Sequence, residues 1–270
     1  MEQVVQKRLS VSGGSWITID AYGNAAVPGL VIVPGSFSDA REWRGVASAI
    51  TAWPSVTVVN RRGRSPSGRL ANSYSVQTEV EDLRTMLDAI GGASVLFGWS
   101  YGALIVLRTA RELRGTQIIG YEPVMKPFGE DALPALGAAT ESEDWSRSVE
   151  LALRQIGGVS EEDIDRLRSD SRIWSHLCRL SMPSYAELLA LNSDSESLPF
   201  VGLSSRVDLI IGELSRYKSP YGTAFGNVRA NVDNATVHEL KGQGHLAHIQ
   251  APDALALLID SLAMGPPQAS

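Results

Sequence analysis

Ser100 stands between two glycines, each two residues away, in Gly98-Trp99-Ser100-Tyr101-Gly102. An apolar run at 94–98 precedes it and a helix-like pattern at 101–114 follows. A strand, a tight turn and a helix around Gly-x-Ser-x-Gly hold a serine hydroxyl out above a sheet as a nucleophile. The strained turn demands small neighbours. The helix that follows aims its positive N-terminal end at the site, so the Tyr101 N–H is one expected oxyanion donor. A serine also needs a base, and the chain has four histidines. His245 lies on the glycine-flanked loop of KGQGHLAH, which follows the last β-like run. Such a loop can return an imidazole over the serine. His238 lies within that run and reads as structural. His176 falls in a helical region, and His248 reads as a packing residue at a helix start. The second oxyanion donor is expected from Pro34-Gly35-Ser36-Phe37, where Gly35 lets the backbone turn toward the serine and Ser36 N–H is the candidate.

Those residues need a frame. Residues 2–11 and 15–21 alternate about Gly13-Gly14 and predict an antiparallel hairpin. Continuous apolar runs at 30–35, 56–60, 94–98, 117–122 and 207–212 have the character of buried parallel strands, and 235–240 alternates more. Helical spacing is found over 39–52, 75–90 and 101–114. Gly91-Gly92 ends the second of these. Alternating strands and helices imply a mostly parallel sheet covered on both faces.

The rhythm breaks over 126–204. Prolines punctuate the segment, and 141–156, 161–170 and 185–192 read as short helices. The expected organisation is a core of 1–125 and 205–265, a helical cap of 126–204 over the candidate site, and a tail at 266–270. Aromatic residues near the elbow and in the cap suit an apolar or aromatic substrate. Phe37, Trp99 and Trp174 are the expected substrate contacts. The Arg61-Arg62-Gly63-Arg64 run reads as a structural, solvated loop.

Composition excludes other classes. The chain has 270 residues, 44% of them hydrophobic, and a net charge of -6. Basic residues cluster only at 61–64, which argues against nucleic acid as a partner. No apolar run is long enough to span a bilayer. A single cysteine, Cys178, and the lack of an apolar signal core near residue 1 lead to an expected cytoplasmic location. A small-molecule substrate is the expected partner. Monomer and homodimer both stay open.

Together these motifs resemble the α/β-hydrolase family. VIVPGSFSDAREW resembles its oxyanion segment, with Pro34 in the place of a histidine. NRRGRSPSG resembles its arginine- and glycine-rich loop, GWSYG its elbow, IIGYEP the strand before the cap, and GQGH its histidine loop. The resemblance implies an eight-stranded, mostly parallel sheet with helices on both faces, a Ser–His–acid triad and no cofactor. It also implies an acid in a Gly-x-x-Asp loop, but this sequence has Gly212-Glu213-Leu214-Ser215. Glu122, at the end of the sixth strand, is the first candidate to orient His245. Glu213 in a shifted loop, a neutral hydrogen bond from Ser215, and no acid at all are the alternatives. The leading expectation is a hydrolase that cleaves an ester, lactone or thioester through an acyl-enzyme on Ser100. A ligand-binding protein with a decayed site, or a cyclase, lyase or cofactor-free dioxygenase on the same fold, stands as the alternative.

Overall fold

The apolar runs become the centre of one sheet. A computed structural model describes residues 4–24, 26–70, 73–195 and 206–263; the expected tail, the end of the expected cap at 196–204 and residue 205 lie outside them. The strands are β1 (Val5–Val11), β2 (Ser15–Gly23), β3 (Leu30–Val33), β4 (Ser55–Asn60), β5 (Val95–Trp99), β6 (Gln117–Tyr121), β7 (Arg206–Gly212) and β8 (Thr236–Leu240). They form an eight-stranded sheet in the order β1-β2-β4-β3-β5-β6-β7-β8. The hairpin β1-β2 and the β2-β4 pair are antiparallel, and every other pair is parallel.

Period-two alternation sends neighbouring side chains to opposite faces. Val31, Val33, Leu96, Ile118, Leu209 and Ile211 join one core. Leu30, Ile32, Val95, Phe97, Ile119 and Ile210 join the other. The helices are α1 (Arg44–Ala49), α2 (Val76–Ile90), α3 (Tyr101–Thr109), α4 (Leu133–Glu141), α5 (Trp145–Leu151), α6 (Glu161–Ser169), α7 (Ser171–Ser181), α8 (Ser184–Ser193), α9 (Tyr221–Arg229), α10 (Ala247–Gln250) and α11 (Pro252–Ser261). Trp43, Val46 and Ala47 at α1 pack with Leu255 and Ile259 of α11 on the second core, while α2, α3 and α9 cover the first. Among the described residues no helix is long and apolar enough to cross a membrane.

The expected helix boundaries differ in instructive ways. α2 starts and stops as expected: Ser75 Oγ accepts the Thr78 N–H at 3.2 Å, and Gly91 closes it in the left-handed region at φ 82°. The helix expected over 39–52 is confined to 44–49. Its first turn is diverted, because Ala40 N–H donates to Asn60 Oδ1 at 2.8 Å and Arg41 N–H to Asp39 Oδ1 at 2.9 Å. α3 stops at Thr109, and a 3₁₀ turn covers 110–112.

The insertion between β6 and β7 contains two helices that the sequence pattern hides. α4 carries Pro134 in its first turn, where the missing N–H costs nothing. α7 begins where Asp170 accepts the Arg172 and Ile173 N–H groups, which restarts the chain directly after α6.

The turn between β5 and α3 depends on absent side chains. A Cβ at Gly102 would stand 2.1 Å from Val33 O and 2.6 Å from Pro34 O, and one at Gly98 2.4 Å from Ala103 Cα. These are backbone atoms and cannot yield locally. Gly226, exposed in α9, has nothing within 4 Å of its Cβ position. Gly102→Ala is therefore expected to destabilise the fold by about 2–4 kcal/mol. Gly226→Ala should stabilise it by about 0.5–1 kcal/mol. Urea unfolding of the two variants beside the wild type reads both effects.

Candidate active site

β5 ends at Trp99, and the chain reverses at Ser100 with φ 56° and ψ −119°. This is a left-handed backbone that a non-glycine residue adopts only where its surroundings impose it. Here Ser100 N–H donates to Tyr121 O at 2.9 Å, and the Gly35 backbone rests against the turn, where a Cβ would meet Ser100 Cβ at 2.9 Å. Ser100 thus stands at the N-terminus of α3, 7% exposed.

The adjacent strand β6 ends in the same register, Tyr121 opposite Trp99, and is followed by a second residue of positive φ, Glu122, at 43°. Its N–H donates to Ile210 O at 2.9 Å, and its carboxylate is fully buried. Gly212 N–H donates to Glu122 Oε1 at 2.9 Å. Glu122 Oε2 lies 2.6 Å from His245 Nδ1. A carboxylate only accepts, so Nδ1 is the donor, and in the neutral ring Nε2 is then the nitrogen with the lone pair. Gly212 makes this possible, because a Cβ there would stand 2.9 Å from Glu122 Oε1.

The histidine loop is fixed on several sides. Tyr121 Oη donates to Gly244 O, Trp99 Nε1 to His245 O at 2.8 Å, and Leu214 N–H to Gln243 O at 2.9 Å. The imidazole stacks on Tyr221, with ring centres 3.6 Å apart and planes 16° apart, and Trp99 covers it at 4.8 Å. Burial beside Glu122 raises the Tyr221 phenol well above its usual pKa, so that ring stays neutral.

Ser100 and His245 line one cavity of about 180 Å³, together with Ser36, Phe37, Trp99 and Tyr101. The far side is apolar: Val124, Phe128, Leu136, Leu153, Ile156 and Leu188 come from the insertion and the turn that leads into it. Ser184 and Glu187, on the first turns of α8, are its other polar side chains near that wall. Among the described residues no group of three or more His, Cys, Asp or Glu is placed to hold a metal ion.

Residues 30–256 match the alpha/beta hydrolase family. The chain belongs to that family. No curated protein matches it. Among solved structures it is similar to an alpha/beta hydrolase from Sphaerobacter thermophilus, at 23% identity, 94% of this chain, 99% of the other and a TM-score of 0.77. It is also similar to the enol-lactonase from Burkholderia xenovorans, at 16% identity, 94% and 98% coverage and a TM-score of 0.74. A thermophilic esterase from Thermogutta terrifontis aligns at 18% identity, 96% and 97% coverage and a TM-score of 0.66. At such identities the likeness is one of fold.

Within this alpha/beta hydrolase fold, the sequence candidates separate. Ser100, His245, Ser36, Tyr101, Phe37 and Trp99 meet at the cavity, and Glu122 meets His245 behind it. Trp174 does not line the cavity: its Nε1 donates to Ser146 Oγ at 3.0 Å and Arg168 lies over its ring, so it packs among the insertion helices. Glu213 turns outward, where its Oε2 accepts Gly242 N–H at 2.7 Å. Ser215 is buried beside Gly244. His238 is structural, 2.8 Å from the buried Asp208.

The arginine loop is not solvated. Arg61, Arg62 and Arg64 are all buried. Arg61 pairs with Glu79 at 2.7 Å and Glu187 at 2.8 Å, Arg62 with Asp82 at 2.5 Å, and Arg64 with Glu187 at 2.7 Å. The sequence pattern missed Glu187. Its signal is one carboxylate on the otherwise apolar face of α8, where a buried charge needs a partner.

His248 is the other departure. It is buried, lies parallel to Trp43 at 4.6 Å and tilted against Trp99 at 4.3 Å. Among the described residues neither ring nitrogen has a hydrogen-bond partner. Burial, with His245 nearby, pushes its pKa down to about 3. The unfolded chain binds a proton here below about pH 6.5, and the folded protein does not until far lower. The stabilising contribution is complete above pH 6.5 and falls with acidification toward pH 3, by up to about 1.4 kcal/mol per pH unit. His248→Phe removes the titrating group and keeps the stack. Between pH 7.5 and pH 5, urea unfolding of the wild type should therefore lose about 2 kcal/mol more than that of the variant. Equal losses would contradict a neutral, buried His248.

Proposed function

We propose that the protein is a serine hydrolase that cleaves an ester, lactone or thioester of a small apolar or aromatic substrate. The observation that carries this reading is the Glu122–His245 contact of 2.6 Å behind a cavity lined by Ser100. It supplies a carboxylate where the family's usual aspartate position holds Ser215, and it fixes the tautomer a general base requires. In this mechanism the substrate carbonyl lies over Ser100 with its oxygen toward the Ser36 and Tyr101 N–H groups. Tyr101 is the first residue of α3, where the helix leaves N–H groups without internal partners.

As Ser100 Oγ attacks, His245 Nε2 takes its proton, and the buried Glu122 carboxylate stabilises the imidazolium that results. The two N–H groups hold the charge that develops on oxygen. The tetrahedral intermediate collapses, and the leaving oxygen or sulfur takes the proton back from His245. Water then adds to the acyl carbon as His245 Nε2 takes its proton; the bond to Ser100 Oγ breaks, that proton returns to Oγ, and the acid leaves. The apolar wall from the insertion, acting as a cap, suits an acyl chain or aromatic ring and keeps bulk water from the reacting carbonyl.

Two measurements test the reading. A fluorophosphonate probe should label Ser100 of the wild type and leave Ser100→Ala unlabelled. On p-nitrophenyl esters of graded acyl length, Glu122→Gln should lower kcat by about 10³–10⁴-fold, whereas Ser215→Ala should leave it within about threefold. A folded wild type that neither takes the probe nor cleaves any ester would sink the proposal.

A further inference from the structure

Arg61 lies beneath the loop after β3, and none of the chemistry proposed above uses it. Its Nε donates to Pro34 O at 2.9 Å and its Nη2 to Gly35 O at 2.9 Å. The same Nη2 reaches Glu187 Oε1 at 2.8 Å, and Nη1 reaches Glu79 Oε1 at 2.7 Å. Glu187 Oε2 takes Arg64 Nη2 at 2.7 Å. One guanidinium thus ties two consecutive carbonyls of the loop to α2 on one side and to the insertion on the other.

The geometry of the peptide group gives this arrangement a consequence. The group is planar and trans, so C=O and N–H of the Gly35–Ser36 unit point in opposite directions. An arginine that captures the Gly35 carbonyl therefore turns the Ser36 N–H away from itself. Ser36 lines the cavity beside Ser100, and the Gly35 backbone rests on the Ser100 turn. The Pro34 carbonyl, held by Nε, fixes the preceding peptide plane as well. Only a planar fork with several donors can hold two carbonyls and two carboxylates at once; an ammonium carries the charge without the fork.

We propose that Arg61 is the positioning residue that sets the oxyanion hole, and that Glu187 of the insertion holds Arg61 in that place. The proposal rests on the serine-hydrolase reading. Two arginines face two carboxylates in this cluster, so the buried charges are matched. Burial opposes ionisation of Glu187, but Arg61 and Arg64, with a hydrogen bond from the Ser36 side chain, outweigh it and hold its carboxyl below the usual range. The insertion then does more than cover the substrate: its seating on the core and the orientation of a catalytic N–H are one event.

The test compares wild type, Arg61→Lys and Glu187→Gln, with folding checked by circular dichroism. Arg61→Lys keeps the charge and loses the fork; Glu187→Gln keeps the shape and loses the charge. Three probes are used: p-nitrophenyl butyrate, an alkyl trifluoromethyl ketone that adds Ser100 Oγ across its carbonyl to form a tetrahedral oxyanion, and the corresponding alcohol, which cannot. Both variants are expected to lose kcat, Arg61→Lys by about 10- to 100-fold, with KM within about twofold. Ketone affinity should fall in step with kcat/KM while alcohol affinity holds. A folded variant with unchanged kcat and ketone affinity would overturn the proposal, as would equal losses for ketone and alcohol. A wild type that fails to react with both the ketone and a fluorophosphonate would contradict the hydrolase reading itself, which separates the two failures.

Discussion

A carboxylate shut away from water must be paired, and the placement of Glu122 organises the rest of this site. It is fully buried at the end of β6 and has two partners, Gly212 N–H and His245 Nδ1. A buried anion held this way fixes its cationic or hydrogen-bonding neighbour closely, because losing the partner leaves an uncompensated charge. The contact therefore dictates where the histidine loop can run. It also explains Gly212, whose missing side chain admits the carboxylate.

The parallel sheet makes this placement possible. β5 and β6 are neighbours in register, with Trp99 opposite Tyr121, so the residues that follow, Ser100 and Glu122, leave the sheet side by side. Both are left-handed, which lifts their side chains off the strand direction. The aromatic residues just before them hold the loop from below, through Tyr121 to Gly244 O and Trp99 to His245 O. On the other side of β5, the loop after β3 is held by Arg61. Backbone strain at the two strand ends and buried charge behind the third thus belong to one device.

Much of this was legible in the sequence, and what was not has physical causes. The central strands are largely apolar on both faces, so short runs such as 30–35 and 207–212 stand out. Ser100 and His245 were legible because glycines mark the turns that carry them. The partner of His245 was less so: Glu122, Glu213 and Ser215 all belong to one sheet edge, and only the three-dimensional arrangement puts Glu122 on His245 Nδ1 and turns Glu213 outward to Gly242. The arginines misled because three charges in a row usually mean a solvated loop. The carboxylates that bury them come from α2 and from a residue 126 positions away, a separation no local pattern reports. Trp174 misled in the opposite way, since an aromatic ring in an insertion can pack between helices as easily as line a cavity.

The central claim is that Glu122, not a residue of the loop after β7, accepts the hydrogen bond from His245 Nδ1. Proton NMR of the folded protein tests it most directly. A slowly exchanging, far-downfield resonance from His245 Hδ1 is expected in the wild type and in Ser215→Ala, and its loss is expected in Glu122→Gln. A resonance that survives Glu122→Gln, or that disappears in Ser215→Ala, would contradict the account.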